Sequence, residues 1–329
     1  MVASLTTLGV AATVAAVTLL VLGTWSRPRA RPYPPYGYAG WALLLAGELL
    51  LFRALEPVPT YFTPIAWTGY LLAVDAAVFA LRGRSRLCST PREFAWMAFC
   101  SVPLWLLFEA YNWRLQNWMY VGMPEPLWEQ ALGSTWAFAT IIPALLETAD
   151  LVAALGWFEK ASARGWRFFL RQRRVVMWVG AAFLAVPLLV PVRWAAYLFA
   201  LVWLGFALLL EPVNYARGHD SLLRDLEQNH GQRLYALFCA GLICGLLWEF
   251  WNYWAGARWV YIFPIFQKVK MFEMPLLGYL GFPPFAVECF ALWSVAWGEM
   301  RRLRGEPQMR QGTASAVPEG GQKKVGFSP

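Results

Sequence analysis

Nine mostly apolar stretches follow one another along the chain, at 5–24, 36–55, 62–81, 94–113, 134–157, 174–191, 194–212, 232–254 and 275–298. Each is close to the roughly 20 residues a helix needs to cross a bilayer core. Between them the chain keeps its charges: only 15% of its 329 residues are charged and 59% are hydrophobic. A soluble domain carries about 25% charged residues. The sequence therefore reads as an all-α, polytopic membrane protein of about nine transmembrane helices. The first stretch lacks a basic start and has Arg27, Arg29 and Arg31 on its far side, which is unlike a secretory signal.

Basic residues orient the spans. Loops 1–2, 3–4, 5–6 and 7–8 carry 3, 4, 6 and 3 Lys or Arg and the C-terminal tail 6, against 0, 1, 1, 1 and 3 for the N-terminus and the other loops. The positive-inside rule then places the N-terminus outside and the C-terminus in the cytoplasm, with the cell inner (plasma) membrane as the expected location. Basic residues in short runs between apolar segments fit topology, and a net charge of +8 without a basic stripe excludes a nucleic-acid partner. Five cysteines without a C-x-x-C pair and two histidines in one polar stretch point to no metal site. No nucleotide fingerprint follows a strand pattern, so no cofactor is expected.

The chain also echoes itself. Trp67-x-Gly69-Tyr70-x4-Asp75 returns as Trp203-x-Gly205-Phe206-x4-Glu211, and each is followed by Arg-Gly, at 82–83 and 217–218. Glu109-x-Tyr111-Asn112 returns as Glu249-x-Trp251-Asn252, Trp118-x-Tyr120 as Trp259-x-Tyr261, and Pro143-x3-Glu147 as Pro284-x3-Glu288. Two parallel repeats of three to four helices follow, at 36–157 and 174–298. Residues 1–30 supply an additional N-terminal helix and 303–329 a flexible cytoplasmic tail. Parallel repeats imply a pseudo-twofold axis along the membrane normal, with a site where the halves meet. The stretches 114–133 and 255–274, rich in Trp, Tyr, Pro and Met, are read as interfacial re-entry or a cap. Pro103, Pro143, Pro187 and Pro284 are read as kinks within spans.

Six acidic positions recur with the repeat. On this topology Glu147 and Glu288 fall near the midplane, Glu109 and Glu249 towards the outer ends of their helices, and Asp75 and Glu211 towards the cytoplasm. An unpaired carboxylate at the midplane costs about 3 kcal/mol. It must be protonated, paired or exposed to an internal cavity, and no Lys or Arg lies mid-span to pair with it. A buried protonated Glu is an acid in waiting. Glu147, Glu288, Glu109 and Glu249 are therefore the catalytic candidates, and Asp75 and Glu211 secondary polar positions. The plainer alternative is that these groups hydrogen-bond helices to one another where lipid offers no partner. Asn112 and Asn252, three residues after their Glu, share its helical face. With Trp118, Tyr120, Trp248, Trp251, Trp259 and Tyr261 they are the candidates for holding a substrate. Trp105 and Trp293 are also placed to line an interior. Aromatic faces stabilise a cation by roughly 1–2 kcal/mol each when desolvated, so a protonated Glu beside them suits alkene protonation.

The run Gly245-Leu-Leu-Trp248 through Gly281-Phe-Pro283-Pro284-Phe-Ala-Val-Glu288-Cys-Phe290 resembles the heterodimeric-type lycopene cyclases, mainly over residues 60–155 and 195–298. The family's adjacent Glu pair after the proline is here a single Glu. The resemblance implies small integral membrane enzymes that close the ends of linear carotenoids by acid catalysis, without net redox change. The expected function is intramembrane acid–base chemistry, such as cyclisation or isomerisation, on a lipid or isoprenoid. The expected partner is thus a membrane lipid or hydrophobic small molecule. The alternatives are a proton-coupled transporter or channel and a non-catalytic pigment- or quinone-binding scaffold.

Overall fold

Glycines set the closest helix contacts in this fold. The computed structural model describes residues 2–306; the expected tail beyond 306 lies outside the described residues. In the first half, α1 (Val2–Ser26), α2 (Pro35–Phe52) and α3 (Val58–Arg82) lead through the short α4 (Arg86–Ser89) to α5 (Pro91–Leu115). Strand β1 (Trp118–Val121) then precedes α6 (Leu127–Ala139) and α7 (Ile141–Ala154). The second half begins with a 3-10 turn, α8 (Arg167–Arg171), α9 (Arg173–Leu189), α10 (Val192–Ala195) and α11 (Phe199–Arg217). It continues through α12 (Leu222–Glu227), α13 (Gln232–Trp254) and β2 (Arg258–Tyr261). The short strands β3 (Lys270–Met271) and β4 (Met274–Pro275), a 3-10 turn over Leu276–Gly281 and α14 (Phe282–Leu303) complete it.

Among the described residues seven helical segments are long and apolar enough to cross a membrane: Leu5–Ser26, Val58–Arg82, Pro91–Leu115, Leu127–Ala154, Phe199–Arg217, Gln232–Trp254 and Leu276–Leu303. The other two expected spans are helical but fall short. α2 mixes three buried glycines and Glu48 into its 18 residues. α9 has only 17 and opens on Arg173-Arg174. The segment Arg164–Arg171 meets α9 at 80°, and counting that bent pair as one span brings the number to eight.

α2 packs along α3 and α9 along α11 in the same manner. A Cβ on Gly40 would lie 2.6 Å from the Gly69 carbonyl oxygen, and one on Gly180 2.8 Å from that of Gly205. Small residues let backbones approach where lipid gives no hydrophobic drive to pack. Leucine at position 40 is expected to push α2 off α3 and lower stability by about 2 kcal/mol, measured by thermal unfolding in detergent. The Arg-Gly pairs end the two long helices: Gly83 and Gly218 take φ values of 73° and 77°, the left-handed C-cap that glycine adopts without strain. α13 packs against both α7 and α14, while α1 lies against α13 and β3.

The segments 114–133 and 255–274, read as re-entry or a cap, each form a strand in part, and β1 and β2 pair antiparallel. The register joins Trp118 to Tyr261 and Tyr120 to Trp259, with Met119 opposite Val260 at the centre. Pro143 and Pro284 do not kink continuous helices. Each is the third residue of a helix, of α7 after a break at Thr140 and of α14 after the 3-10 turn. A first-turn proline costs no intrahelical hydrogen bond, so it starts a helix where it would break one further along. Pro103 and Pro187 do lie inside α5 and α9.

Candidate functional site

The β1–β2 ribbon roofs an aromatic cavity of about 140 Å³ near one end of the bundle. Its walls come from α3 (Thr63, Trp67), α5 (Trp105), the ribbon (Trp118, Tyr120, Trp259, Tyr261), α11 (Trp203) and α13 (Trp248, Glu249). Tyr61 from α3 and Glu129, Gly133 and Phe138 from α6 flank it on one side. Phe285, from the first turn of α14, packs with Trp105, Trp203 and Trp248 at ring-centroid distances of 5.9, 5.9 and 6.0 Å. Both halves of the chain thus contribute to one chamber.

The ribbon holds its place through two asparagines. Asn112 Nδ2 donates to the Trp118 carbonyl at 2.9 Å while its Oδ1 accepts from the Asn117 and Trp118 amides at 2.9 and 3.1 Å. Asn252 Nδ2 donates to the Trp259 carbonyl at 2.8 Å and its Oδ1 accepts from the Trp259 amide at 2.9 Å. Neither side chain lines the cavity; both clamp the strands that do. Asn252→Ala leaves buried backbone groups unpartnered and is expected to cost about 2 kcal/mol of stability, read by thermal unfolding in detergent.

Glu109 and Glu249 lie beneath the ribbon, and their surroundings differ. One oxygen of Glu109 accepts from Trp105 Nε1 at 3.0 Å, Trp118 Nε1 at 3.3 Å and the Tyr120 hydroxyl at 2.5 Å. Glu249 Oε1 accepts the Tyr261 hydroxyl at 2.8 Å, and the Trp259 indole and the Met274 backbone stand close to the same carboxyl. The difference is written in the sequence, since the position four before Glu109 is Trp105 and the position four before Glu249 is Gly245. Gly245 gives its space to the Phe282 ring. Trp259 Nε1 donates to the Tyr261 hydroxyl at 3.0 Å. Burial and then the adjacent carboxylate push the Tyr120 and Tyr261 phenols well above their ordinary range, so both remain donors. Glu249 lines the cavity and Glu109 sits behind Tyr120 and Trp118.

The two midplane candidates are elsewhere. Glu147 and Glu288, each the seventh residue of its helix, are fully buried and absent from the cavity wall. Glu288 accepts the Phe206 amide at 2.9 Å. Glu147 has both oxygens without a hydrogen bond, but Arg86 Nε stands 3.7 Å away. No Lys or Arg of the spans pairs with it, but Arg86 of α4, outside the spans, extends inward to it. It also pairs with Glu93 at 3.2 Å and Asp150 at 2.9 Å. Burial opposes its charge, yet Asp150, Glu147 and Glu93 together hold the guanidinium above its ordinary value.

Asp75 and Glu211 tie short helices to long ones. Asp75 accepts from Ser85 Oγ at 2.8 Å and the Leu87 amide at 2.9 Å, fixing α4. Glu211 accepts from Ser221 Oγ at 2.9 Å and the Leu222 amide at 2.8 Å, fixing α12. Trp248 lines the cavity, but Trp251 does not: its ring packs 5.0 Å from Trp67 and its Nε1 donates to Glu48 at 2.9 Å. Trp293 stacks on Trp297, away from the site. Reasoning from sequence passed over Thr63, Trp67, Trp203, Arg258 and Phe285 as site residues, although Trp67 and Trp203 open the repeated motif.

These features define a multi-pass helical membrane protein with an aromatic chamber closed by a β-ribbon. No protein family, curated protein or solved structure matches this chain.

Proposed function

We propose that the chain is a membrane enzyme acting on a lipid or isoprenoid by proton transfer, and that the chamber under the ribbon is its active site. The observation that carries this is Glu249, a fully buried carboxyl among the residues that line an aromatic cavity. In the reaction, the Glu249 carboxyl gives its proton to a substrate alkene, leaving a carbocation on carbon. Rings of Trp105, Trp248 and Phe285 stabilise that charge without capturing it. Loss of a proton from a neighbouring carbon back to the carboxylate restores Glu249 and leaves an isomerised or cyclised product. The balance needs no oxidant or reductant. Glu109 fastens Tyr120 and Trp118, and so the roof, while Glu147 and Glu288 support structure outside the chamber.

The architecture that goes with this reading is two parallel repeats with the N-terminus outside and nine spans, α2 and α9 included. It is supported by the matching Gly40/Gly69 and Gly180/Gly205 contacts and the matching Asn clamps. The ribbon register supports it too. Trp118 faces the counterpart of Tyr120, and Tyr120 faces the counterpart of Trp118, as a twofold axis through Met119 and Val260 requires.

The test is to express the chain in a host accumulating linear isoprenoids and to compare extracted lipids with those from Glu249→Gln. New products of unchanged mass from wild type, absent in the variant, are expected. Identical profiles across several such substrates overturn the reading. A second reading, proton-coupled transport, draws on the bent pair Arg164–Arg171 and Arg173–Leu189, which meet at 80°, since interrupted helices often build carrier sites. Proton-dependent flux in liposomes, lost in Glu249→Gln, would decide for it.

A further inference from the structure

Between α7 and α9 the chain gathers charge that the fold itself leaves unneutralised. Positions 160–174 hold six basic residues and no acidic one. Among the described residues no ion pair includes any of the six. Arg164, Arg167, Arg171, Arg173 and Arg174 are all exposed, and Arg173 leans its guanidinium over the Tyr215 ring at 5.8 Å. The positive-inside rule accounts for basic residues gathering in a connection, but it does not require them to share a face.

Local structure gives them one. Arg164, Arg167 and Arg171 are spaced three and four apart across the 3-10 turn and α8, a spacing that sets helical neighbours side by side. Together with Phe168 and Gln172 they line one surface cleft. The other side of the segment is fastened to the bundle: Trp166 Nε1 donates to the Tyr235 hydroxyl at 3.1 Å. The Trp166 ring packs 5.6 Å from Phe238 of α13, and Phe169 stacks on it at 5.9 Å. The cleft is therefore held by packed rings. The segment meets α9 at 80°, and α9 just beyond the bend exposes Val175, Trp178 and Val179. With α9 in the bilayer, that apolar face meets acyl chains and the crosswise segment lies along the surface, among headgroups. Phe168, 61% exposed, sits beside the arginines as their apolar neighbour.

We propose that this cleft binds the headgroup of an anionic phospholipid, with the phosphate held by Arg164, Arg167 and Arg171 and the acyl chains along the exposed face of α9. A guanidinium presents its donors as a fork that meets two phosphate oxygens at once. Three such forks around one cleft favour a phosphate whose charge is not already answered by an ammonium in its own headgroup. Selection is thus for anionic over zwitterionic lipid. A soluble phosphate or a nucleic acid offers the same charge but no chains for Val175, Trp178 and Val179. The proposal takes from the architecture above only the placement of α9 in the bilayer, and nothing from the chemistry of the chamber.

The experiment is native mass spectrometry of the purified full chain in detergent, titrated with phosphatidylglycerol and with phosphatidylcholine of identical acyl chains. Each arginine engaged is expected to contribute about fivefold, so phosphatidylglycerol binds one site about 25- to 100-fold more tightly. Glutamine at 164, 167 and 171 together is expected to erase that preference. Phosphatidylcholine affinity and the unfolding temperature stay unchanged, because these side chains hold nothing else in the fold. Glutamine at 27, 29 and 31 removes the same charge from another connection and is expected to keep the preference. Should the first triple variant fail to fold, Arg167→Gln alone decides, with an expected loss of about fivefold. No preference in wild type, a preference that survives the substitutions at 164, 167 and 171, or equal losses in the two triple variants overturn the proposal. The last outcome would mean diffuse charge without a site. Displacement of phosphatidylglycerol by an equal concentration of glycerol 3-phosphate overturns it too, and assigns the cleft to a soluble phosphate. Lipid binding here is read without turnover, so it fails or stands separately from the Glu249→Gln comparison.

Discussion

Glu249→Gln is expected to lower turnover of an isoprenoid substrate by about 10²–10⁴-fold, the usual contribution of a positioned acid or base. Glutamine keeps the shape, and its amide oxygen still accepts the Tyr261 hydroxyl that Oε1 accepts at 2.8 Å. What it lacks is a transferable carboxyl proton beside the chamber. Thermal stability is therefore expected to stay within about 1 kcal/mol of wild type, since no buried charge is stranded and no hydrogen bond from the ribbon is lost. The informative comparison is Glu109→Gln. That carboxyl accepts three donors on one oxygen and lies behind the roof, so its amide variant is expected to loosen Trp118 and Tyr120 and weaken substrate binding more than it slows the chemical step. Steady-state rates with a separate binding measurement distinguish the two patterns. Equal effects of the two variants on turnover would show that the Trp105/Gly245 asymmetry has no chemical meaning.

That asymmetry also shows how far the sequence can be read. The spacing of the sequence pairs Glu109 with Glu249 and Trp118 with Trp259, and the structure sets both glutamates beneath one ribbon that carries both tryptophans. Spacing treats the paired positions as equals, however, and the difference between them comes from a residue four places upstream that belongs to no shared motif. Glu147 and Glu288 drew attention because each stands four residues after a proline. The prolines turned out to begin α7 and α14, so both carboxyls face helix neighbours rather than the chamber. The ribbon was hidden for another reason: four-residue strands in Trp- and Tyr-rich segments carry too short an alternation to stand out from interfacial anchors. Arg86 was assigned correctly to a connecting segment, but a long side chain can carry its charge well away from its backbone, and hydropathy counts record only where the backbone lies.

Arg86→Ala is expected to be the most damaging single substitution outside the chamber, lowering stability by about 3 kcal/mol or more. The argument starts from Glu147, whose side chain is fully buried and whose oxygens have no hydrogen bond. Its nearest compensation is the guanidinium at 3.7 Å, which also serves Asp150 and Glu93. Removing Arg86 leaves three carboxyl groups from α5 and α7 facing one another at a single place, with one sealed from water. Truncating one partner of a buried pair strands the other, and that desolvation cost exceeds anything the pair itself contributes. Lysine at position 86 restores the charge but not a fork able to meet several carboxylates, so it is expected to recover only part of the loss. The decisive variant is Arg86→Met combined with Glu147→Gln. If the cost arises from the stranded charge, the double variant unfolds at a temperature close to wild type although the ion pair is gone. If it remains as unstable as Arg86→Ala, then the damage lies in the lost ties to Asp150 and Glu93. In that case Arg86 acts as a fastener between α4, α5 and α7, and the buried charge of Glu147 is not what makes it necessary.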